Sequence, residues 1–222
     1  MLSYQQIMAK LMLRDDFKGL SDSHKTNVIQ RLGFTSDLTR LSVDGKLGPK
    51  TLGGKFLDID LITTPAAKIA LNELVAMSQE VGGSNMGPFV QKYFRMKKLP
   101  TKNAGAFCAG GASYCLREGY PGEGTPYLLG AQRLGRAVAA KGAGQHSIQH
   151  AKPDDLLIWN RETSTPGTGH VEVTVHVTDD IVFTIGFNVG RYPAPTRVFI
   201  NKKSDPSRGK GNEFLFCARW KK

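Results

Sequence analysis

At 222 residues, with 40% hydrophobic and 22% charged residues, the chain can form one large globular domain or a small one joined to a medium one. Its net charge of +11 calls for an anionic partner. The basic residues are scattered and no nucleic-acid motif accompanies them, which argues against a nucleic-acid binder; an acidic polymer such as a bacterial cell wall, or an anionic outer envelope, remains. No apolar run is long enough to span a bilayer, and three cysteines are too few for a disulfide framework.

Met1 to Asp16 lacks a secretory signal pattern, because Lys10 and Arg14 interrupt or follow its apolar residues. Synthesis in a cytoplasm without a signal peptide of its own is the expectation. Tyr4, Ile7, Met8 and Leu11 recur at helical spacing, and Val28, Ile29 and Leu32 form a second apolar stripe before Gly33. Asp44-Gly45 and Gly48-Pro49 then punctuate the chain, with Pro49 suited to a helix start. The run Val43-Asp44-Gly45-x-x-Gly48-Pro49-x-Thr51 resembles the signature of the type-1 peptidoglycan-binding domain, a three-helix wall-binding module. The likeness spans about residues 15–60 and implies ligand contacts from Asp44, Gly45 and Gly48. It departs after Leu52, where Gly53-Gly54-Lys55-Phe56 replaces an apolar helix and predicts a short third helix.

Residues 61–66 read as a flexible linker, because Thr64 precedes Pro65. This divides the chain into a helical module, 1–62, and a second domain, 63–222. Helices are predicted over 66–81, 86–98 and 127–140. Between them lies Asn103 to Tyr120, a helix with Asn103 as N-cap and Gly119 as its stop. Cys108 falls in an early turn, where the helix dipole favours a thiolate. Cys115 lies two turns on, about 10 Å away, too far to bridge, and reads as an inert core thiol. The pair Gly110-Gly111 weakens the helix by about 1 kcal/mol per residue and implies a close approach of sheet or substrate.

From Pro153 the pattern changes to strands: 155–159, 169–177, 181–186, 197–200 and 213–220. The stretch Gly169–Val177 alternates, with His170, Glu172, Thr174 and His176 on one face. Helices first and an antiparallel sheet after make an α+β fold. A cysteine nucleophile needs a base and a group to orient it. His170, directly after Gly167-Thr168-Gly169, is the best base, and Asn188, at the end of the next strand, can orient it. Glu172 is the rival orienting group, against its plainer reading as a solvent-facing strand residue. His146 and His150 have the i, i+4 spacing of a zinc pair, but no glutamate lies between them.

The order of these pieces carries a second resemblance. Phe107-Cys-Ala-Gly-Gly-Ala-Ser-Tyr-Cys-Leu116 looks like the "W-C-A-x-F-V-x-x-C-L" segment of CHAP domains, papain-like amidases and peptidases that cut peptidoglycan. Pro153-Asp-Asp-Leu-Leu-Ile-Trp159 resembles their "P-G-D-I-V-V-F" strand, Gly169-His-Val171 their "G-H-V", and Gly186-Phe-Asn188 their "G-G-N". The likeness covers about residues 66–222 and implies a papain-like domain with Cys108 as nucleophile, His170 as base and acid, Asn188 as orienting residue, and Phe107 and Gly110 at the substrate groove. Many relatives carry a glutamate two residues before the asparagine; here that position is Gly186. The implied protein is a monomeric endolysin that needs no metal or cofactor, acts on peptidoglycan at the wall, and cuts either the sugar–peptide amide or a bond of the stem peptide. Other readings are an NlpC-type peptidase, a zinc amidase using His170 and His176, an injected toxin with the same chemistry, and a non-catalytic wall-binding or tail protein.

Overall fold

The computed structural model describes residues 1–161, 169–206 and 212–220. The fold is α+β, with helices in the N-terminal half and an antiparallel sheet after them. The first unit contains α1 (Tyr4–Leu11), α2 (Asp15–Lys18), α3 (Asp22–Leu32) and the single turn α4 (Pro49–Leu52). Ser3 caps α1 in a reciprocal box with Gln6, and Ser21 caps α3. A two-residue ladder of β1 (Gly33–Phe34) and β2 (Lys55–Phe56) closes the unit. Two of the four helices are single turns, so the module departs from three regular helices.

The Asp44-Gly45 turn is held from α3. Gln30 Oε1 accepts from the backbone N–H groups of Asp44 and Gly45, each at 3.0 Å, while its Nε2 donates to Asp44 Oδ1 at 2.7 Å. Gly45 has φ +68°, and a Cβ there would lie 2.6 Å from Ser23 Oγ, so glycine is required twice over.

The expected flexible linker is a packed element. Ile59–Leu61 form a 3-10 turn, Ile62 is buried, and α5 (Pro65–Val75) begins directly after. Asp154 caps α5 from a distance, accepting from Ala67 N at 2.7 Å and from the Thr64 hydroxyl at 2.7 Å. Asp154 adopts φ +71°, a left-handed conformation that glycine enters more freely. The helix predicted to Val81 stops at Val75 because Met77 turns left-handed and Ser78 pairs with Thr196 through backbone and hydroxyl.

Then come α6 (Pro88–Phe94), α7 (Cys108–Gly119) and α8 (Ala131–Lys141). A Cβ on Gly119 would fall 2.6 Å from Ala66 N, so α7 ends in close contact with the start of α5. Among the described residues six strands follow: β3 (Gly144–His146), β4 (Leu156–Arg161), β5 (Gly169–Val177), β6 (Ile181–Gly186), β7 (Arg197–Lys202) and β8 (Asn212–Arg219), in the spatial order β3-β8-β4-β5-β6-β7. Arg219 on β8 donates to both oxygens of Asp155 at 2.9 and 2.7 Å, a buried bidentate pair that ties the last strand to the start of β4.

One face of the sheet (Ile158, Val171, Val173, Ile185) packs under the helices in a hydrophobic cluster that runs on without a break into Ile7, Leu11, Phe17 and Leu32 of the first unit. The opposite face at β5–β7 carries His170, Glu172, Gly186, Arg197 and Phe199 in register. Against it lies the segment after β1: Arg40 stacks on Phe199 at 4.6 Å, and Arg197 donates to the Leu41 carbonyl. Among the described residues no helix is long and apolar enough to cross a membrane.

Candidate active site

Cys108 is the first residue of α7, four residues later than an Asn103 cap would put the helix start. Asn103 instead accepts from the Gly105 backbone N–H at 2.8 Å and shapes the approach loop. Phe107 occupies the cap position without a side-chain cap, so the first-turn N–H groups keep their positive end toward the thiol. The two glycines behind the cysteine are packing residues. A Cβ on Gly111 would stand 2.4–2.8 Å from the Phe187 ring, and one on Gly110 would stand 3.0 Å from the Tyr93 carbonyl. Phe107 is fully buried and stacks on Tyr93 at 5.8 Å. Phe107 and Gly110, expected at the substrate groove, are therefore core positions.

His170 is buried beside the thiol. Its Nε2 lies 3.4 Å from Glu172 Oε1, and Thr184 donates to the other carboxylate oxygen at 2.6 Å. Nδ1 is buried without a hydrogen-bond partner and is the ring nitrogen left for Cys108. Burial alone would raise the Cys108 pKa; interaction with His170, the Arg161 charge and the Ala109 backbone N–H outweigh it and bring the thiol below its ordinary value. Burial alone would lower the His170 pKa, but Cys108 and Glu172 raise it above the ordinary imidazole value. The two opposite shifts belong to one coupled pair, each group favouring the charged form of the other. Cys115 is pushed well up by burial and by the Glu73 carboxylate, against which Lys92 pulls the other way.

Glu172 is completely buried, unlike a solvent-facing strand residue. It is the register partner of Gly186, and a Cβ at 186 would come within 3.1 Å of His170 Nε2 and 3.2 Å of Glu172 Cγ. The Glu172 carboxylate thus occupies space beside the imidazole that Gly186 leaves on the neighbouring strand. Asn188 has left-handed backbone, and its amide donates to Asn85 Oδ1 at 3.3 Å. Asn85 in turn donates to Asn103 at 3.0 Å, so Asn188 braces the loop leading to Cys108 while Glu172 meets the imidazole. Of the stretch Gly167-Thr168-Gly169, only Gly169 lies within the described residues.

A cleft of about 210 Å³ opens at His170, lined by Arg40, Arg161, Trp159, Val189 and Phe199 among others. Sequence reasoning passed over both arginines. Arg161 sits at a strand end and Arg40 in the other module, and nothing in the chain order joins them. In the N-terminal unit, a cleft of about 670 Å³ is lined by Asp44, Lys46, Gly48, Lys50 and also Arg40. Gly45 is committed to the turn and is absent from that lining.

No three metal-donor side chains cluster among the described residues. His146 lies on β3 and its Nε2 meets the Ala143 carbonyl, whereas His150 closes a 3-10 turn and bonds Ser147, so the pair does not share a helix face. His176 packs on Phe183, four positions beyond Glu172. No family model, curated protein or solved structure matches the chain.

Proposed function

We propose that the chain is a cysteine hydrolase that cleaves an amide bond of bacterial peptidoglycan, with Cys108 as nucleophile, His170 as base and acid, and Glu172 as the residue that orients and charges the imidazole. The observation that carries this reading is the buried series Cys108–His170–Glu172–Thr184 at the start of a helix, with thiol and imidazole shifted in opposite directions. Such an arrangement has no evident structural use: a buried charge pair contributes little net stability compared with apolar packing.

The Cys108 thiolate adds to the amide carbonyl, forming a C–S bond, while N–H groups of the first turn of α7 stabilise the oxyanion. The His170 imidazolium gives its proton to the leaving amine as the C–N bond breaks. Neutral His170 then takes a proton from water, whose oxygen displaces the thioester sulfur and releases the acid. Peptidoglycan as the polymer rests on the Asp44 turn motif, the cleft beside it and the positive net charge, which favours an anionic wall or envelope.

Turbidity loss of purified peptidoglycan tests this with wild type, Cys108→Ala and Cys115→Ala. Loss of activity in Cys108→Ala alone, with fragments identified by mass spectrometry, supports the thiol mechanism. Activity surviving in Cys108→Ala would overturn it.

A further inference from the structure

Helix α6 ends at Phe94, and the chain leaves it through Arg95, whose backbone is left-handed at φ +54°. The turn that follows is anchored on both sides: the Gln91 side chain donates to the Met96 carbonyl at 3.2 Å, and Pro100 is buried. Between these anchors Arg95, Met96, Lys97, Lys98 and Leu99 are all exposed. Tyr127 joins a second segment to this turn. Its hydroxyl donates to the Tyr93 carbonyl at 2.9 Å, and the guanidinium groups of Arg95 and Arg117 lie 5.3 and 5.9 Å from its ring centre. Leu128 and Leu129 come next, and they are 37% and 43% exposed, as Met96 is 39% and Leu99 55%. The Leu129 side chain lies 3.4 Å from where a Cβ on Gly110 would stand, so this corner borders the start of α7.

The corner is also cationic. Residues 81–117 contain Lys92, Arg95, Lys97, Lys98, Lys102 and Arg117 but no aspartate or glutamate. Lys92 is paired with the buried Glu73, Arg117 faces Glu118 at 3.9 Å, and Glu123 accepts from the Trp220 indole N–H at 3.2 Å. Lys97 and Lys98 have no acidic partner among the described residues. Single exposed apolar side chains need no explanation, but four of them interleaved with unpaired cations on one anchored corner do.

We propose that residues 95–99 and 127–129 dock the protein on an anionic phospholipid bilayer. A bilayer meets both properties of the corner: phosphate headgroups face the lysines, and acyl chains begin roughly 5–10 Å deeper for Met96, Leu99, Leu128 and Leu129. A glycan strand or a nucleic acid satisfies the cations and leaves the aliphatic side chains in water. The attachment is peripheral, by two short segments held on a folded core. It stands independently of the reading of Cys108, although the patch borders the helix start that carries that residue.

The test is co-sedimentation of the full chain with vesicles of phosphatidylcholine alone and of phosphatidylcholine with one quarter phosphatidylglycerol. Four proteins are compared: wild type, Lys97→Glu with Lys98→Glu, Met96→Ser with Leu99→Ser, and Lys68→Glu with Lys141→Glu, which makes the same change in net charge at exposed positions elsewhere. Wild type is expected to bind the anionic vesicles alone, and more weakly as salt is added. One basic residue at an anionic surface is worth about fivefold in partitioning, so the Lys97 and Lys98 pair should lose tenfold or more. The Met96 and Leu99 pair should lose about fivefold or more and the distant pair much less, with unfolding midpoints of all four proteins close together. Equal binding to both vesicle types would overturn the docking surface, as would an equal loss in the distant pair, which would mean attraction by the whole chain. A Met96 and Leu99 pair that binds vesicles as wild type does, while the lysine pair loses affinity for purified peptidoglycan, would overturn the bilayer in favour of the polymer.

Discussion

In the proposed mechanism the charge of His170 as Cys108 attacks is set by Glu172, a side chain with no solvent exposure. Because the thiol is lowered and the imidazole raised, the reactive pair exists between two macroscopic pKa values. Activity is expected to rise with pH through the lower value, as the thiolate forms, and to fall through the upper one, as the imidazolium loses its proton. Glu172→Gln removes the negative charge that raises the imidazole pKa. The alkaline limb of the kcat/KM profile should then move to lower pH, and the rate should lose part of the roughly 10²–10⁴-fold that acid–base catalysis supplies. A profile that keeps its alkaline limb in place would show that Glu172 does not charge His170. The same variant leaves the Thr184 hydroxyl facing an amide, which can still accept its hydrogen bond, so folding is retained.

At the scale of elements, α7 carries Cys108, the proposed nucleophile, and lies in close contact with its neighbours. Gly111 fits against the Phe187 ring where a Cβ would be 2.4–2.8 Å from three ring atoms. Gly111→Ala is expected to lose about 1–3 kcal/mol of stability through overpacking, although alanine is the better helix former. Denaturant unfolding measures this, and Phe187→Leu in the same background should restore part of it. An unchanged midpoint for Gly111→Ala would remove the packing explanation for the glycine pair. The same closeness accounts for Phe107, whose ring belongs to the Tyr93 stack and not to a groove.

At the scale of the whole molecule, the two units behave as one body. Their apolar residues form a continuous cluster, and Arg31 of α3 is buried with its guanidinium on the Ser78 carbonyl and the Gln79 side chain of the second unit. Arg197, which meets the Leu41 carbonyl, has its pKa lowered to about 10 by burial and by the neighbouring charges of Arg40 and Arg31. A single cooperative unfolding transition is therefore expected in calorimetry, with equal calorimetric and van't Hoff enthalpies. Two separated transitions would mean that the contact is weaker than its burial implies.

The α+β class, the strand order along the chain, the Asp44-Gly45 turn and the Cys108–His170 pairing are legible in the sequence, because periodicity, turn residues and reactive side chains are local properties. Glu172 was visible there only as a rival to Asn188. Both lie near His170 in the chain, and only the register of β5 on β6, with Gly186 leaving room, decides which of them meets the ring. The bounds of α5 and α7 were displaced for a related reason: Thr196 draws the chain out of helix at Ser78, and the Asn188–Asn85–Asn103 contacts occupy the residue that would have capped α7. The packed junction, and with it Arg40 at the His170 cleft, had no sequence signal. A contact between residues 40 and 199 is a product of how two apolar surfaces meet, and that is settled only when the whole core closes.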